Sequence, residues 1–248
     1  MKNSRLTFNS STNFTLPIGV FHVLQRDAYY YGFIKNEQPN VSGFLNSLIP
    51  ALSDYQEALF HELLKYNNGD VETAKICARS IHNVYLQPFA FHDDGTINVP
   101  FRISKDKYDD FIVIHDERLS FYDTDFTNYV RTLLSEYASK TMGQREYLYA
   151  YRMISPLREA IRKGKLCKFY TSEKAYDFVP VSIELSPIYD YNYIVGIDND
   201  NKPQIIRLSQ THKISILESK ITITEEMCNW INNYLDEIYE EEYNECLD

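Results

Sequence analysis

Residues 165–217 read KLCKFYTSEKAYDFVPVSIELSPIYDYNYIVGIDNDNKPQIIRLSQTHKISIL, and this stretch decides the fold of the second half of the chain. Its apolar runs recur roughly every 8–15 residues, a spacing that is typical of an antiparallel sheet or barrel. Clusters rich in Ser, Asp, Asn and Pro separate the runs and favour tight turns. We therefore predict a small five-stranded barrel with strands at residues 166–170, 178–183, 193–197, 205–208 and 213–217.

The order and chemistry of these strands resemble a known bacterial domain. A basic, helix-forming segment at residues 157–165 leads into a strand that ends at Tyr170, and Pro187 follows the second strand. The triplet at residues 192–194 reads NYI, and Arg207 begins a later Arg-Leu pair. On these positions the chain is similar to the WYL domain, an SH3/Sm-like barrel, although the triplet has lost the Trp and carries Ile in place of Leu.

The resemblance implies that the barrel binds nucleic acids or nucleotide-like effectors. The first Arg of the family motif is kept as Arg207, whose planar guanidinium suits a phosphate. The second Arg of the motif has either His212 or Lys213 as its equivalent. Tyrosine rings at the matched positions would stack on a base or hydrogen-bond to it. The residues predicted to bind nucleic acid or ligand are Lys168, Tyr170, Tyr193, Arg207, Ser209, His212 and Lys213.

The first half of the chain contains two segments that share a strand–helix–helix plan. Their elements are predicted at residues 14–18, 20–33 and 39–52 in the first segment, and at 99–104, 105–119 and 123–138 in the second. This plan resembles the ribbon-helix-helix fold, in which one strand from each unit pairs with its mate. Two copies in one chain would form that pair internally. Strand alternation turns Thr15 and Arg102 outward, as the candidate DNA contacts of the ribbon.

The predicted fold class is therefore α+β, with a tandem ribbon-helix-helix-like half, a WYL barrel and a C-terminal helix. Side chains that cap helices mark the predicted starts: Asn40 or Ser42, Ser53 with Asp54, Thr124 and Thr224. The predicted segments are 1–53 (first ribbon-helix-helix-like unit), 54–95 (helical linker), 96–142 (second unit), 143–220 (WYL domain) and 221–248 (C-terminal helix).

The charge of the chain is unevenly distributed. The formal net charge is −10, which argues against a surface covered in nucleic-acid contacts. Residues 151–220, however, carry 11 Lys and Arg against 8 Asp and Glu. Residues 221–248 carry 9 acidic and no basic side chains, so we expect the final helix to avoid nucleic acid. Its apolar face would pack on the barrel or against a second subunit of a homodimer.

Several functional classes lack their sequence signatures. The chain has no Gly-rich phosphate loop, no HxxxH or HxH pair and no GxSxG elbow, so we predict no enzyme, no metal site and no cofactor. The four cysteines are far apart and form no CxxC pair. No apolar run approaches the ~20 residues that span a bilayer, and the N-terminus lacks a signal-peptide pattern. We therefore expect a cytoplasmic protein without a membrane partner.

Taken together, these modules resemble the WYL accessory proteins of RNA-targeting type VI-D CRISPR systems. That resemblance implies that the chain binds single-stranded RNA through the barrel and modulates an effector nuclease. The modules also resemble WYL-domain transcription factors, in which the N-terminal region binds operator DNA and the barrel senses a ligand. A third reading is a protein–protein adaptor with a degenerate barrel. The poorly basic ribbon face favours RNA over DNA.

Overall fold

The computed structural model describes residues 11–85, 95–220 and 223–246. The chain divides into two units, residues 1–140 and residues 141–248. Both contain helices and antiparallel strands, so the predicted α+β class is confirmed. The loop predicted at residues 86–94 lies outside the described residues.

The first unit is mainly helical around a two-stranded ribbon. Its elements are β1 (Ser11–Pro17), α1 (Ile18–Tyr30), β2 (Ile34–Lys35), β3 (Gln38–Pro39), α2 (Val41–Tyr66), α3 (Val71–Val84), β4 (Thr96–Arg102), α4 (Tyr108–Val113), α5 (Leu119–Tyr122) and α6 (Phe126–Ala138). A 3₁₀ turn at Lys105–Lys107 precedes α4, and a π-helical turn at Ile114–Arg118 joins α4 to α5.

The ribbon of the first unit forms within one chain, as the sequence predicted. Strands β1 and β4 pair antiparallel, from Ser11 opposite Arg102 to Pro17 opposite Thr96. The two strands alternate in burial because successive side chains of a strand point to opposite faces. Phe14 and Phe101 are buried and their ring centroids lie 5.4 Å apart, whereas Arg102 is exposed.

The helix start predicted at Ser53 and Asp54 is wrong. It runs without a break across residues 53 and 54, where Ser53 and Asp54 were expected to begin a new helix. Ser53 is buried and its hydroxyl accepts a hydrogen bond from the Tyr129 hydroxyl at 3.2 Å. A cap residue begins a helix only where the preceding chain is not already helical, and here the buried face of the helix continues from Leu52 through Ser53 to Gln56.

The second segment of the first unit departs from the first in its middle helix. The continuous helix expected at residues 105–119 is instead a 3₁₀ turn, α4, the π-helical turn and α5. Asn40 caps α2 as predicted, by accepting from the Gly43 N–H at 3.0 Å. Helix α6 is capped by Asp125 rather than Thr124, through the Asn128 N–H at 2.9 Å.

The second unit is a five-stranded sheet between helices. Its elements are α7 (Met142–Tyr149), α8 (Tyr151–Lys163), β5 (Lys165–Thr171), β6 (Ala175–Leu185), β7 (Asn192–Asp198), β8 (Pro203–Arg207), a 3₁₀ turn (Leu208–Gln210), β9 (Thr211–Lys220) and α9 (Glu225–Glu245). Helix α8 ends at Gly164, whose φ of 58° lies in the left-handed region that glycine adopts without strain.

The sheet of the second unit is antiparallel, with strand order β8-β7-β6-β5-β9. All five predicted strands are present, but the predicted closed barrel is not found. Among the described residues no ladder joins the edge strands β8 and β9, and only the short 3₁₀ turn connects them. The sheet therefore remains open at this seam.

Helices cover the two faces of this sheet. Ile154, Leu157 and Ala160 of α8 pack against one face, where Phe169 and Phe178 stack with ring centroids 4.2 Å apart. Ile231 and Leu235 of α9 pack against the other face. That second cluster also contains the strand residues Tyr193, Val195 and Ile197.

None of the helices in the described ranges combines the length and the apolar character that crossing a membrane requires.

Candidate nucleic-acid interface

Strand β5 presents a basic and aromatic face. Cys167 and Phe169 are fully buried on the α8 side of the sheet, so Lys168 and Tyr170 point to the opposite face. In the sheet register, Lys168 lies opposite Ser215 of β9 and Tyr170 lies opposite Lys213. Residues that face each other across neighbouring strands share one face. Three predicted binding residues, Lys168, Tyr170 and Lys213, thus come together; we call them the sheet-face cluster.

The contacts within the sheet-face cluster are weak and solvent-accessible. The Lys213 Nζ lies 5.6 Å from the centroid of the Tyr170 ring, within cation–π range. The Lys168 Nζ lies 3.7 Å from a carboxylate oxygen of Asp177, with the two side chains 38% and 42% exposed. Exposed ion pairs contribute roughly 0–1 kcal/mol, so a phosphate can replace Asp177 at little cost. The cluster offers one ring and two cations to an anionic ligand.

Arg207 lies on the same face of the sheet but at its other edge. It is opposite Tyr193 of β7, and its guanidinium carbon is 3.6 Å from the centroid of the Tyr191 ring. A stacked guanidinium keeps its donor edges in the plane of the fork, where they can meet a phosphate. Arg207 on β8 is three strands from β5 in the sheet order, and its row of the register, through Glu184, lies seven residues along β6 from the row of Lys168. Helix α9 packs on the strand residues that lie between them, Tyr193, Val195 and Ile197 of β7, so the sheet-face cluster and the Arg207–Tyr191 stack are separate features of this face.

Tyr193 anchors helix α9. Its side chain is only 9% exposed, and its hydroxyl donates to the Glu242 carboxylate at 2.5 Å. Burial raises the pKa of the Tyr193 phenol, and the hydrogen bond to Glu242 raises that pKa further. The Ser186 hydroxyl donates to the second oxygen of Glu242 at 2.5 Å. The stacking role predicted for Tyr193 does not fit this burial, because no ring face is left for a base.

Ser209 and His212 occupy the connection between β8 and β9. The Ser209 backbone N–H donates to Glu146 at 2.9 Å, and Glu146 also accepts from the Asn192 backbone and side chain at 2.6 and 2.9 Å. This buried carboxylate therefore fixes the 3₁₀ turn to the start of β7. His212 is exposed and is the extra residue of a β-bulge, because Tyr170 faces Lys213 while Thr171 faces Thr211.

The ribbon candidates Thr15 and Arg102 lie in the first unit. The Thr15 hydroxyl donates to the Asn98 side-chain oxygen at 2.9 Å. Arg102 is exposed at the other end of the ribbon, opposite Ser11. Four residues of strand, or about 13 Å, separate the two positions. The ribbon therefore does not bring its two candidates together.

Sequence reasoning missed three residues that shape this surface: Tyr191, Glu242 and Glu146. Tyr191 was assigned to a turn-forming cluster, and a turn gives no signal for an Arg-stacking ring. Glu242 belongs to the acidic final helix, yet it is only 6% exposed. Its spacing of seven residues from Leu235 places it on the buried stripe of α9, and that spacing was a usable signal.

Within the part of the chain that the structure describes, we considered the possible metal ligands and the cysteine thiols. No group of three or more His, Cys, Asp or Glu side chains there is arranged to hold a metal ion. Cys77, Cys167, Cys228 and Cys246 are free thiols. Burial raises the pKa of the Cys167 thiol to about 11, which keeps it protonated at neutral pH.

Comparison with known proteins finds a likeness of fold to a solved structure. No family model matches the chain, and no curated protein matches it. A solved structure described as the crystal structure of a CRISPR Cas-related protein is similar, with a TM-score of 0.61 and 16% sequence identity. The similarity covers 93% of this chain and 68% of that chain. At this identity the likeness shows a shared fold.

Proposed function

We propose that this chain is a non-enzymatic accessory protein of a CRISPR system that binds single-stranded RNA on the sheet of its second unit. The observation that carries the proposal is the sheet-face cluster, where Lys213 lies over the Tyr170 ring beside Lys168. The fold likeness to a CRISPR Cas-related protein supports the cellular setting. The proposed partners are the RNA strand and a CRISPR effector nuclease whose activity the chain modulates.

The chemistry of the cluster suits a single strand. Small β-modules bind single strands by stacking bases on aromatic rings and holding phosphates with cations. Tyr170 would stack on a base, while Lys168 and Lys213 would contact the flanking phosphates. Arg207, stacked on Tyr191 at the other edge of the sheet, would hold a second phosphate.

The finer fold assignments belong to the same proposal. The order β9-β5-β6-β7-β8, with a 3₁₀ turn between β8 and β9, supports a WYL-type, SH3/Sm-like arrangement that is open at one seam. The internal β1–β4 pair supports a ribbon-helix-helix-like origin for the first unit. Neither assignment is required for RNA binding by the sheet-face cluster.

The proposal is tested by filter binding of labelled single-stranded RNA, single-stranded DNA and duplex DNA. We expect single-stranded RNA to bind most tightly, and we expect Tyr170→Ala and Lys213→Ala each to weaken it by about 1–3 kcal/mol. Lys202→Ala is the matched control, because it removes an exposed cation at the β7–β8 turn. Equal affinity of wild type and the cluster variants would reject this surface.

A second assay tests the accessory role. The purified chain is added to an RNA-targeting CRISPR nuclease encoded beside it, and cleavage of labelled RNA is followed over time. We expect the wild-type chain to change the cleavage rate and Lys213→Ala to lose that effect together with RNA binding. A chain that binds RNA but leaves cleavage unchanged would contradict the accessory role and leave RNA binding intact.

The alternative function is a transcriptional regulator that binds operator DNA through the first unit. The observation that favours it is the antiparallel β1–β4 ribbon, because two-stranded ribbons enter the major groove in some DNA-binding proteins. Tight binding of duplex DNA that Arg102→Ala abolishes would support this function. The outer face of the ribbon offers only one Arg among the candidate base contacts, and the Thr15 hydroxyl already donates to Asn98. We therefore rank the regulator second to the RNA-binding accessory protein.

A further inference from the structure

We infer that a cleft between α7 and α8 is a second nucleotide-binding site of the second unit. The cleft has a volume of about 340 Å³ and is lined by Tyr147, Tyr151, Ser155, Arg158, Glu159 and Arg162 over Ile154. Its volume lies at the lower end of the range for small-ligand sites. The inference rests in part on the proposed function, since a bound RNA strand is one source of the nucleotide.

Two tyrosine rings form the aromatic wall of the cleft. The ring centroids of Tyr147 and Tyr151 lie 6.5 Å apart with an interplanar angle of 60°. Both side chains are half-buried, and Ile154 is fully buried at the base of the cleft. An apolar floor with tilted rings at its side can hold the flat face of a nucleobase by stacking. A purely aliphatic ligand would not need this arrangement.

Two arginines supply the positive side of the cleft. The Arg158 guanidinium carbon lies 5.3 Å from the centroid of the Tyr147 ring, within cation–π range. Arg162 follows four residues later, so both guanidinium groups emerge from one stripe of α8. Both arginines are exposed. A base seated against the tyrosines would place its phosphate within reach of these two forks, which bind phosphate in a bidentate manner.

Glu159 partly neutralises the positive charge of the cleft. It accepts from Arg162 Nε at 3.0 Å and Nη2 at 2.7 Å, and it also pairs with Lys163. The hydrogen bonds from Arg162 and Lys163 lower the pKa of Glu159 to about 2, so the carboxylate stays charged. These ion pairs are exposed, so a phosphate can replace Glu159 at little cost. Removing the carboxylate should therefore strengthen nucleotide binding.

The cleft is separate from the sheet-face cluster. Helix α8 buries Ile154, Leu157 and Ala160 against the sheet, whereas Arg158 and Arg162 point away from that contact. The sheet-face cluster lies on the other face of the sheet. A ring together with a phosphate defines the ligand class as a nucleotide. Its source is either a residue of an RNA strand or a free mononucleotide.

The test uses the full chain and two probes: AMP, and a single-stranded RNA of about ten nucleotides that carries photoreactive 4-thiouridine. We expect irradiation to cross-link the RNA to peptides that contain Tyr147 or Tyr151. Tyr151→Ala and Arg158→Gln should each weaken the cleft contact by about fivefold or more. Tyr151→Phe keeps the ring and should bind like wild type, which separates stacking from folding. Glu159→Gln should bind more tightly.

Arg152→Gln is the matched control, because Arg152 is an exposed cation of the same helix outside the cleft lining. Equal losses of affinity in Arg152→Gln and Arg158→Gln would show that only the overall positive charge of the helix matters, and would overturn the inference of a nucleotide site in the cleft. RNA that binds but cross-links at Tyr170 and not in the cleft would overturn the inference and leave the proposed function standing. AMP binding that depends on Tyr151, without RNA binding, would support the cleft and contradict the proposed function. Binding of neither probe would overturn both.

Discussion

At the scale of single residues, the stack of Arg207 on Tyr191 is the contact that most directly prepares a cation for phosphate. The ring holds the guanidinium in one plane, with 3.6 Å between its carbon and the ring centroid. Less rotamer freedom is then lost when a phosphate binds.

We expect Arg207→Ala to weaken single-stranded RNA binding by about 1–3 kcal/mol, because charge-assisted hydrogen bonds to phosphate are lost. Arg207→Lys should show an intermediate loss, since it keeps the charge but not the planar fork. Tyr191→Phe should bind like wild type because the ring remains. Filter binding at one fixed salt concentration measures all three. Unchanged affinity in Arg207→Ala would remove this residue from the site.

His82 gives a second residue-scale prediction, on the stability of the first unit. The side chain is fully buried, its ring centroid lies 4.5 Å from that of Tyr122 and 5.3 Å from that of Tyr129, and within the described ranges neither nitrogen has a hydrogen-bond partner. Burial lowers its pKa from 6.5 to about 4. The unfolded chain therefore binds a proton more readily than the folded chain between these values.

The stability contributed by neutral His82 is fully present above pH 6.5 and is lost as the pH falls toward 4. The loss reaches about 3 kcal/mol in total, from the difference between the two pKa values. We expect His82→Phe, which keeps an aromatic ring between Tyr122 and Tyr129, to lose less stability than wild type between pH 7 and pH 5. Urea unfolding at both pH values measures the difference. Parallel pH profiles of the two proteins would show that His82 is not the titrating group.

The residue scale also shows where sequence reasoning ends. Tyr170, Lys213 and Lys168 were grouped by the resemblance to the WYL domain, whereas their proximity depends on the pairing of β5 with β9, about 40 residues later in the chain. The sequence could not show that Tyr193 is buried rather than a ligand contact, because its burial depends on Glu242, about fifty residues away in α9. The Arg207–Tyr191 stack was hidden for a similar reason, since it depends on how a turn returns to the sheet.

At the scale of elements, helix α9 is held to the sheet by one buried carboxylate. Glu242 accepts from the hydroxyls of Ser186 and Tyr193, while Ile231 and Leu235 supply the apolar contact. The aromatic residues Trp230 and Tyr234 of the same helix are more exposed, at 41% and 38%. The polar anchor therefore matters more for this helix than its apolar periodicity suggested.

We expect Glu242→Ala to destabilise the second unit by about 1–3 kcal/mol, because two hydroxyls lose their acceptor beneath the helix. The neighbouring Glu241 is exposed, so Glu241→Ala is the matched control and should change stability little. Trp230, the single tryptophan of the chain, lies on α9 and reports the transition by fluorescence during urea unfolding. Equal midpoints for the two variants would contradict the anchoring role.

Elements with a clear local pattern were predictable, and elements set by their neighbours were not. The five strands of the second unit and the paired strands of the first follow from period-two alternation. The continuation of α2 through residues 53 and 54 does not follow from such a pattern. Ser53 is a residue type that often caps helices, but here it is buried in the helix and hydrogen-bonded to Tyr129. The open seam between β8 and β9 could not be predicted from local sequence either, because closure of the sheet depends on the twist accumulated over five strands.

At the scale of the whole molecule, charge limits how the chain meets nucleic acid. The net charge is −10, and most basic side chains of the second unit lie on the sheet and on α8. RNA contact should therefore be local rather than spread over the surface. The fold likeness to a CRISPR Cas-related protein extends over 93% of the chain, which indicates a shared arrangement of elements rather than one shared module.

This charge arrangement predicts a shallow salt dependence. If Lys168, Lys213 and Arg207 are the phosphate contacts, the logarithm of the RNA affinity should fall against the logarithm of salt with a slope of about −2. Use of Arg158 and Arg162 as well would steepen the slope to about −3.5. Filter binding across a salt series measures the slope, and Lys213→Ala should reduce its magnitude by about 0.7. A slope that the variant leaves unchanged would exclude Lys213 from phosphate contact.

The most direct test of the central claim is the affinity of wild type and the double variant Tyr170→Ala/Lys213→Ala for one labelled single-stranded RNA. Circular dichroism would first verify that the variant keeps its fold. The account predicts that the variant loses most of the RNA affinity, while the Lys202→Ala control keeps it. Wild-type affinity in a folded double variant would contradict the claim that this face of the sheet binds RNA.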